Sequence, residues 1–163
     1  MRRLFYWLSL LVCLALAACG SPGPRGGSTI TQGPRAVSGQ ANEVVMLAMG
    51  LIDTGYRFGG KNPEAGFDCS GMVAYVFAKA AGVKVSGSAA DIARRGRAVS
   101  RHDLQPGDLV FFNTMNRPFS HVGIYIGEQR FVHAPSTNGR VRIERLDSEY
   151  FARRYEAART LLD

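Results

Sequence analysis

The chain changes its hydrophobic period part-way along, and this restricts it to folds in which helices come first and strands second. Val44, Val45, Leu47, Ala48, Leu51 and Ile52 recur at helical spacing from about Ala41 onward, and Gly55 stops the pattern. After the glycine-rich loop Gly55-Tyr56-Arg57-Phe58-Gly59-Gly60, a second helical pattern runs through Met72, Val73, Val76, Phe77 and Ala80 to Gly82, with Asp68 placed as its N-cap. A shorter helix is expected from Ser88 to Arg95, and the nearby Arg94, Arg95 and Arg97 are expected to form a solvated face. From the turn Pro106-Gly107-Asp108 onward the runs have strand length. They are Leu109 to Phe112, His121 to Ile126, Arg130 to His133 and Arg140 to Ile143, joined by connections that suit an antiparallel meander. The tail from Ser148 to Leu162 predicts a short helix and a closing strand. The expected class is α+β, with N-terminal helices packed on an antiparallel β-sheet.

The first forty residues have another character. Arg2 and Arg3, an apolar run from Leu4 to Leu16 and then small residues form the charged-apolar-small pattern of a secretory signal, expected to occupy residues 1–18. Leu16-Ala17-Ala18-Cys19 resembles a bacterial lipobox, which implies acylation of Cys19 and attachment to a membrane through that lipid. Gly20, where Asp would otherwise direct retention, implies the outer membrane, with the protein facing the periplasm. Residues 19–40 are rich in Gly, Pro, Ser and Thr, and are expected to serve as a tether to a single domain over 41–163. Loss of Arg2 and Arg3 lowers the formal charge from +7 to +5, which suits an anionic envelope surface. No basic stripe interleaved with aromatics argues for nucleic acid.

Cys13 leaves with such a signal and Cys19 carries lipid, so Cys69 is expected to be the only thiol of the mature domain, without a disulfide partner. An unpaired cysteine in an oxidising compartment is either a small buried core residue or is needed for chemistry. Cys69 falls in the first turn of a predicted helix, and His121 and His133 fall on successive predicted strands. If those strands are hairpin neighbours, the histidines share a face, and the helix bearing Cys69 need only pack on that face. The helix dipole and a neighbouring imidazolium are expected to make the thiolate accessible near neutral pH. Cys69 then acts as nucleophile, His121 as general base, and His133 fixes the His121 tautomer. The Cys69 N–H and the Tyr56 hydroxyl are candidate oxyanion donors. A zinc site built from Cys69, His121 and His133 is the chemical rival, but no C-x-x-C or H-x-x-x-H spacing accompanies it, and no metal or other cofactor is expected. His102 is expected in an exposed loop.

Five segments in order carry a family resemblance. These are Tyr56 to Gly60, Phe67-Asp68-Cys69-Ser70-Gly71, Leu104 to Phe112, His121 to Gly127, and Phe131-Val132-His133-Ala134. Over roughly Val44 to the C-terminus the chain resembles the NlpC-type peptidases, papain-like bacterial cell-wall hydrolases. The resemblance implies a papain-like NlpC fold and a Cys69-His121-His133 triad acting on peptidoglycan stem peptides. It implies Tyr56 lining the site and Asp68 and Ser70 contacting substrate. The lipid-anchored single-domain relatives imply cleavage of the D-alanyl to meso-diaminopimelate cross-link, while other members imply the γ-D-glutamyl to diaminopimelate bond. One departure concerns specificity: relatives commonly carry an arginine before the third helix and a glutamine within it, where this chain has Gly87-Ser88-Ala89-Ala90-Asp91-Ile92. A non-catalytic wall-binding lipoprotein, or an acyltransferase or amidase on the same fold, are the functional alternatives. An adaptor partner is left open.

Overall fold

The computed structural model describes residues 38–137 and 139–162. The expected signal segment, Cys19 and the tether as far as residue 37 lie outside the described residues.

Among the described residues, three helices precede most of the sheet. Helix α1 (Gly39–Gly50) begins two residues ahead of the expected domain start because the Ser38 hydroxyl accepts from the Ala41 N–H at 3.2 Å, capping the helix there. It buries Ala41, Val44 and Ala48. A two-residue hairpin, β1 (Lys61–Asn62) and β2 (Gly66–Phe67), then leads into α2 (Cys69–Ala80), which Asp68 caps as expected. The hairpin sits so close to α2 that a Cβ on Gly71 would lie 2.0 Å from the Gly60 carbonyl oxygen. Helix α3 (Ala89–Arg95) starts in a capping box between Ser88 and Asp91.

Among the described residues, six strands form the main sheet in the order β3-β8-β4-β5-β6-β7, with every neighbouring pair antiparallel. They are β3 (Arg97–Val99), β4 (Leu109–Phe112), β5 (His121–Gly127), β6 (Arg130–His133), β7 (Arg142–Arg145) and β8 (Tyr155–Thr160). A short helix α4 (Glu149–Ala152) links β7 to β8, so the tail follows the expected helix-then-strand course. The α+β class and the meander β4-β5-β6-β7 agree with the sequence pattern. Two features differ. Arg97, expected only in a solvated face, opens β3, which β8 pairs by inserting between β3 and β4. The fourth run of the meander starts at Arg142 instead of Arg140, because residues 140 and 141 pair elsewhere. Arg140 bridges Gly55, and Val141 exchanges backbone hydrogen bonds of 2.9 Å with Asp53 and Thr54.

The sheet separates two apolar layers. On one face α1, α2 and α3 pack against Leu109, Phe111, Val122, Ile124 and Val132. On the other, Val110, Phe112, Tyr125, Phe131 and Leu146 gather with Phe151 of α4. Strand β4 is buried on both faces, which is why it reads as an unbroken apolar run.

Candidate active site

Cys69 is the first residue of α2, and a cage of hydrogen bonds around Asp68 holds it. One Asp68 carboxylate oxygen accepts from the Gly71 N–H at 2.6 Å and from the Ser70 hydroxyl at 3.0 Å, and the other accepts from the Gly59 N–H at 2.9 Å. The carboxylate thus ties the glycine-rich loop to the helix start. The polar atoms of Asp68 and Ser70, assigned to substrate contact by resemblance, are here occupied in the cap. Tyr56, on the same loop, is half-buried. Burial, and then the charges of Cys69 and Asp68, raise its phenol above its ordinary range.

His121 opens β5 and His133 closes β6. His121 Nε2 and His133 Nδ1 are 2.7 Å apart, with the rings nearly perpendicular at 86°. Contrary to the expected arrangement, these rings do not stand on the face that α2 covers. Phe112 pairs with His121 across the β4–β5 ladder, and Phe131 and Phe151 flank His133, all three belonging to the opposite layer. Side chains alternate along a strand, and it is Val122 and Ile124 that face the helices. Helix α2 packs on β5, and a backbone hydrogen bond from Val122, the residue after His121, acts on the Cys69 thiol against burial.

Burial dominates the electrostatics. The Cys69 thiol is pushed up to about 11, first by burial and then by the Asp68 charge, against opposing hydrogen bonds from the backbone of Val122, Ser70 and Cys69 itself. Burial lowers both imidazoles below the usual histidine range, and for His133 the charges of His121 and Arg142 push the same way. A helix terminus contributes about 0.3–1 kcal/mol, less than the roughly 1.4 kcal/mol that one pH unit represents, so desolvation prevails. Burial thus opposes the expected thiolate near neutral pH, and it opposes the imidazolium as well. His133 Nε2 is buried and has no hydrogen-bond partner among the described residues, a further obstacle to its protonation. No group of three or more His, Cys, Asp or Glu side chains among the described residues is placed to hold a metal ion.

The model of the NlpC/P60 family matches residues 53–160, a span that includes every one of these side chains. The chain belongs to the NlpC/P60 family. It is 34% identical over 138 residues to murein DD-endopeptidase MepH of Escherichia coli, covering 82% of this chain and 51% of that protein. It is 36% identical to the probable endopeptidase NlpC homolog of Haemophilus influenzae (83% and 67%), and 42% identical to the gamma-DL-glutamyl hydrolase of Bacillus subtilis (66% and 26%). The chain thus spans about a quarter to two thirds of the length of these relatives. Among solved structures, it superposes on an NlpC/P60 family protein of Bacillus cereus with a TM-score of 0.70 at 29% identity, covering 76% of this chain and 40% of that one. The NlpC/P60 domain of peptidoglycan hydrolase SagA gives 0.64 at 30% identity, covering 74% and 98%.

Within this NlpC/P60 domain His121 and His133 are in direct contact, Cys69 lies beside Val122 at the start of β5, the charges of Cys69 and Asp68 act on Tyr56, and Asp68 and Ser70 flank Cys69 in the helix cap. His102 is exposed, as expected. Sequence reasoning did not find the aromatic enclosure of Phe112, Phe131 and Phe151. Its signal was available in the strand alternation, since Phe131 and His133 share a face, but Phe151 comes from a distant helix.

Proposed function

We propose that this protein is a cysteine endopeptidase that hydrolyses peptidoglycan stem-peptide bonds, with Cys69 as nucleophile, His121 as base and acid, and His133 as the group that orients His121. The observation that carries this reading is the 2.7 Å imidazole pair, whose His121 directly precedes Val122, the residue whose backbone hydrogen bond acts on Cys69. In the productive tautomer His121 Nε2–H donates to His133 Nδ1, which leaves His121 Nδ1 free to take a proton. Because burial disfavours both the thiolate and the imidazolium, proton transfer accompanies attack: the sulfur bonds to the carbonyl carbon as Nδ1 accepts the thiol proton. The oxyanion is met by the Cys69 N–H and the Tyr56 hydroxyl. The imidazolium then gives its proton to the leaving amine as the C–N bond breaks, forming a thioester. Water attacks this thioester with His121 again as base, and the thiol is regenerated.

The favoured bond is the D-alanyl to meso-diaminopimelate cross-link, in line with the similarity to the E. coli DD-endopeptidase across most of the chain. The similarity to the B. subtilis gamma-DL-glutamyl hydrolase supports γ-D-glutamyl cleavage as the second reading. Retention of all three triad members weighs against a purely wall-binding role. The lipobox-like segment supports an anchor on Cys19 at the periplasmic face of the outer membrane. The test incubates the full chain in detergent with cross-linked sacculi beside its Cys69→Ala variant and weighs the released muropeptides by mass spectrometry. Loss of cross-linked dimers with gain of tetrapeptide monomers is the expected result. Fragments ending at D-glutamate establish the second reading, and identical products from the two proteins overturn the enzyme. For the anchor, the expected result is a diacylglycerol-modified Cys19 peptide in the membrane fraction, and an unmodified peptide overturns it.

A further inference from the structure

A cavity of about 410 Å³ opens on the histidine face of the sheet, and the proposed chemistry has not used it. It is lined by His121, His133, Arg142, Glu144 and Tyr150 among others, whereas Cys69 and Tyr56 are not part of its wall. This placement decides which part of a substrate it can take. His121 must protonate the leaving amine, so the amine lies against that ring, and the residue bearing it continues away from the sulfur toward His133. The acyl part lies on the Cys69 side. The cavity therefore adjoins the leaving group.

Its charged wall comes from β7. Arg142 pairs with His133 across the β6–β7 ladder and Glu144 pairs with Phe131, so both side chains stand on the histidine face. Arg142 Nε donates to Glu144 at 2.9 Å, and Nη1 donates to the Thr137 carbonyl at 3.5 Å. Each bond uses one N–H of a guanidinium that carries five, and the planar fork suits a carboxylate. Both residues are only half-buried, so a solute entering the cavity meets them without the domain opening.

We infer that this cavity is the leaving-residue subsite and that Arg142 is a specificity-determining residue that binds a carboxylate next to the leaving amine. The inference rests on the reaction proposed above and narrows its substrate class to amide bonds whose amine belongs to an amino acid with a free carboxylate on the same carbon. The D-centre of a cross-linking diaminopimelate is such a residue. The L-centre, whose carboxyl is already in amide linkage, is not. An anion bound there also counters the Arg142 charge beside His133, so the correct leaving residue makes the imidazolium easier to form when the amine needs a proton.

The test uses the full chain in detergent with two purified cross-linked muropeptides, one with the carboxylate beside the scissile bond free and one with it amidated. Wild-type protein is expected to show kcat/KM roughly ten- to a hundredfold higher on the free acid, the range of a charge-assisted hydrogen bond. Arg142→Gln is expected to lose most of that preference for the free acid over the amide, and Arg142→Lys is expected to regain part of it. Turnover without discrimination by wild-type protein, or an equal loss on both substrates in Arg142→Gln, overturns the subsite and leaves the reaction standing. Calorimetry of the Cys69→Ala variant with free meso-diaminopimelate and its diamide reads the cavity without turnover. Binding that prefers the diacid and weakens roughly tenfold on adding Arg142→Gln supports the subsite even if no bond is cut. Equal binding of both compounds overturns it.

Discussion

The two halves of the candidate site are held by opposite means. On the nucleophile side, Asp68 alone receives hydrogen bonds from Gly59, Ser70 and Gly71, and backbone amides surround the sulfur. On the base side, two imidazoles share a single hydrogen bond inside a box of Phe112, Phe131 and Phe151. The first half is positioned by polar bonds that survive contact with water. The second is positioned by packing, and burial there disfavours the charged form of both rings. The nucleophile side should therefore tolerate changes that keep hydrogen bonding, and the base side changes that keep volume.

The largest expected effect tests whether the halves act as one unit. Cys69→Ala should lower the rate of muropeptide release by at least about a thousandfold, and His121→Gln combined with it should add little, because members of a triad act non-additively. A further large loss in the double variant separates the two halves. Next, Phe151→Ala should cost about 3–5 kcal/mol in urea unfolding, as for other large aromatic truncations in cores, and Phe151→Leu much less. If the two lose equally, packing does not hold the base side. His133→Gln keeps an acceptor for His121 Nε2 and should slow turnover on the order of a hundredfold, with His133→Phe worse by a further tenfold or so.

Stability against pH sharpens the contrast. Both histidines bind protons less readily folded than unfolded, where the ordinary value is 6.5, so their contribution is complete above that value and is lost as pH falls below it. The loss should reach up to about 1.4 kcal/mol per pH unit for each ring, and thermal melts of His133→Gln should show a shallower acid limb than wild type. An unchanged limb shows that the rings do not resist protonation. The smallest effect lies on the polar side. Asp68→Asn keeps a competent cap but removes a charge that raises the thiol, so iodoacetamide should alkylate the Cys69 peptide a few-fold faster at pH 8. Slower alkylation reverses the sign assigned to Asp68.

The same contrast explains what could be read from the residues beforehand. Asp68 before an apolar helical run, and Ser88 with Asp91, announce their caps locally, because capping needs only residues three apart. His121 and His133 on successive strands announce a hairpin pair. The face they occupy is not legible in the sequence, because alternation along β5 places His121 opposite to Val122, and only the helix packing shows which of the two faces α2. The burial of the thiol is likewise a property of the assembled layers. Strand β3 escaped notice because Arg97-Ala98-Val99 has no apolar alternation of its own and becomes a strand only through β8. The start of β7 moved because Val141 pairs with a loop far earlier in the chain.

The insertion of β8 between β3 and β4 has a consequence for the order in which the molecule can be assembled. Residues 97–99 are made early, yet the strand they pair with spans Tyr155–Thr160 and follows α4, which carries Phe151 to the histidine box. Closing so long a loop is slow compared with forming a hairpin. The helix bearing the thiol is built from residues close in sequence, whereas the pairing of β3 and the aromatic wall behind His133 both depend on residues 151–160. The imidazole pair is therefore enclosed only when the C-terminal segment has joined the rest of the domain.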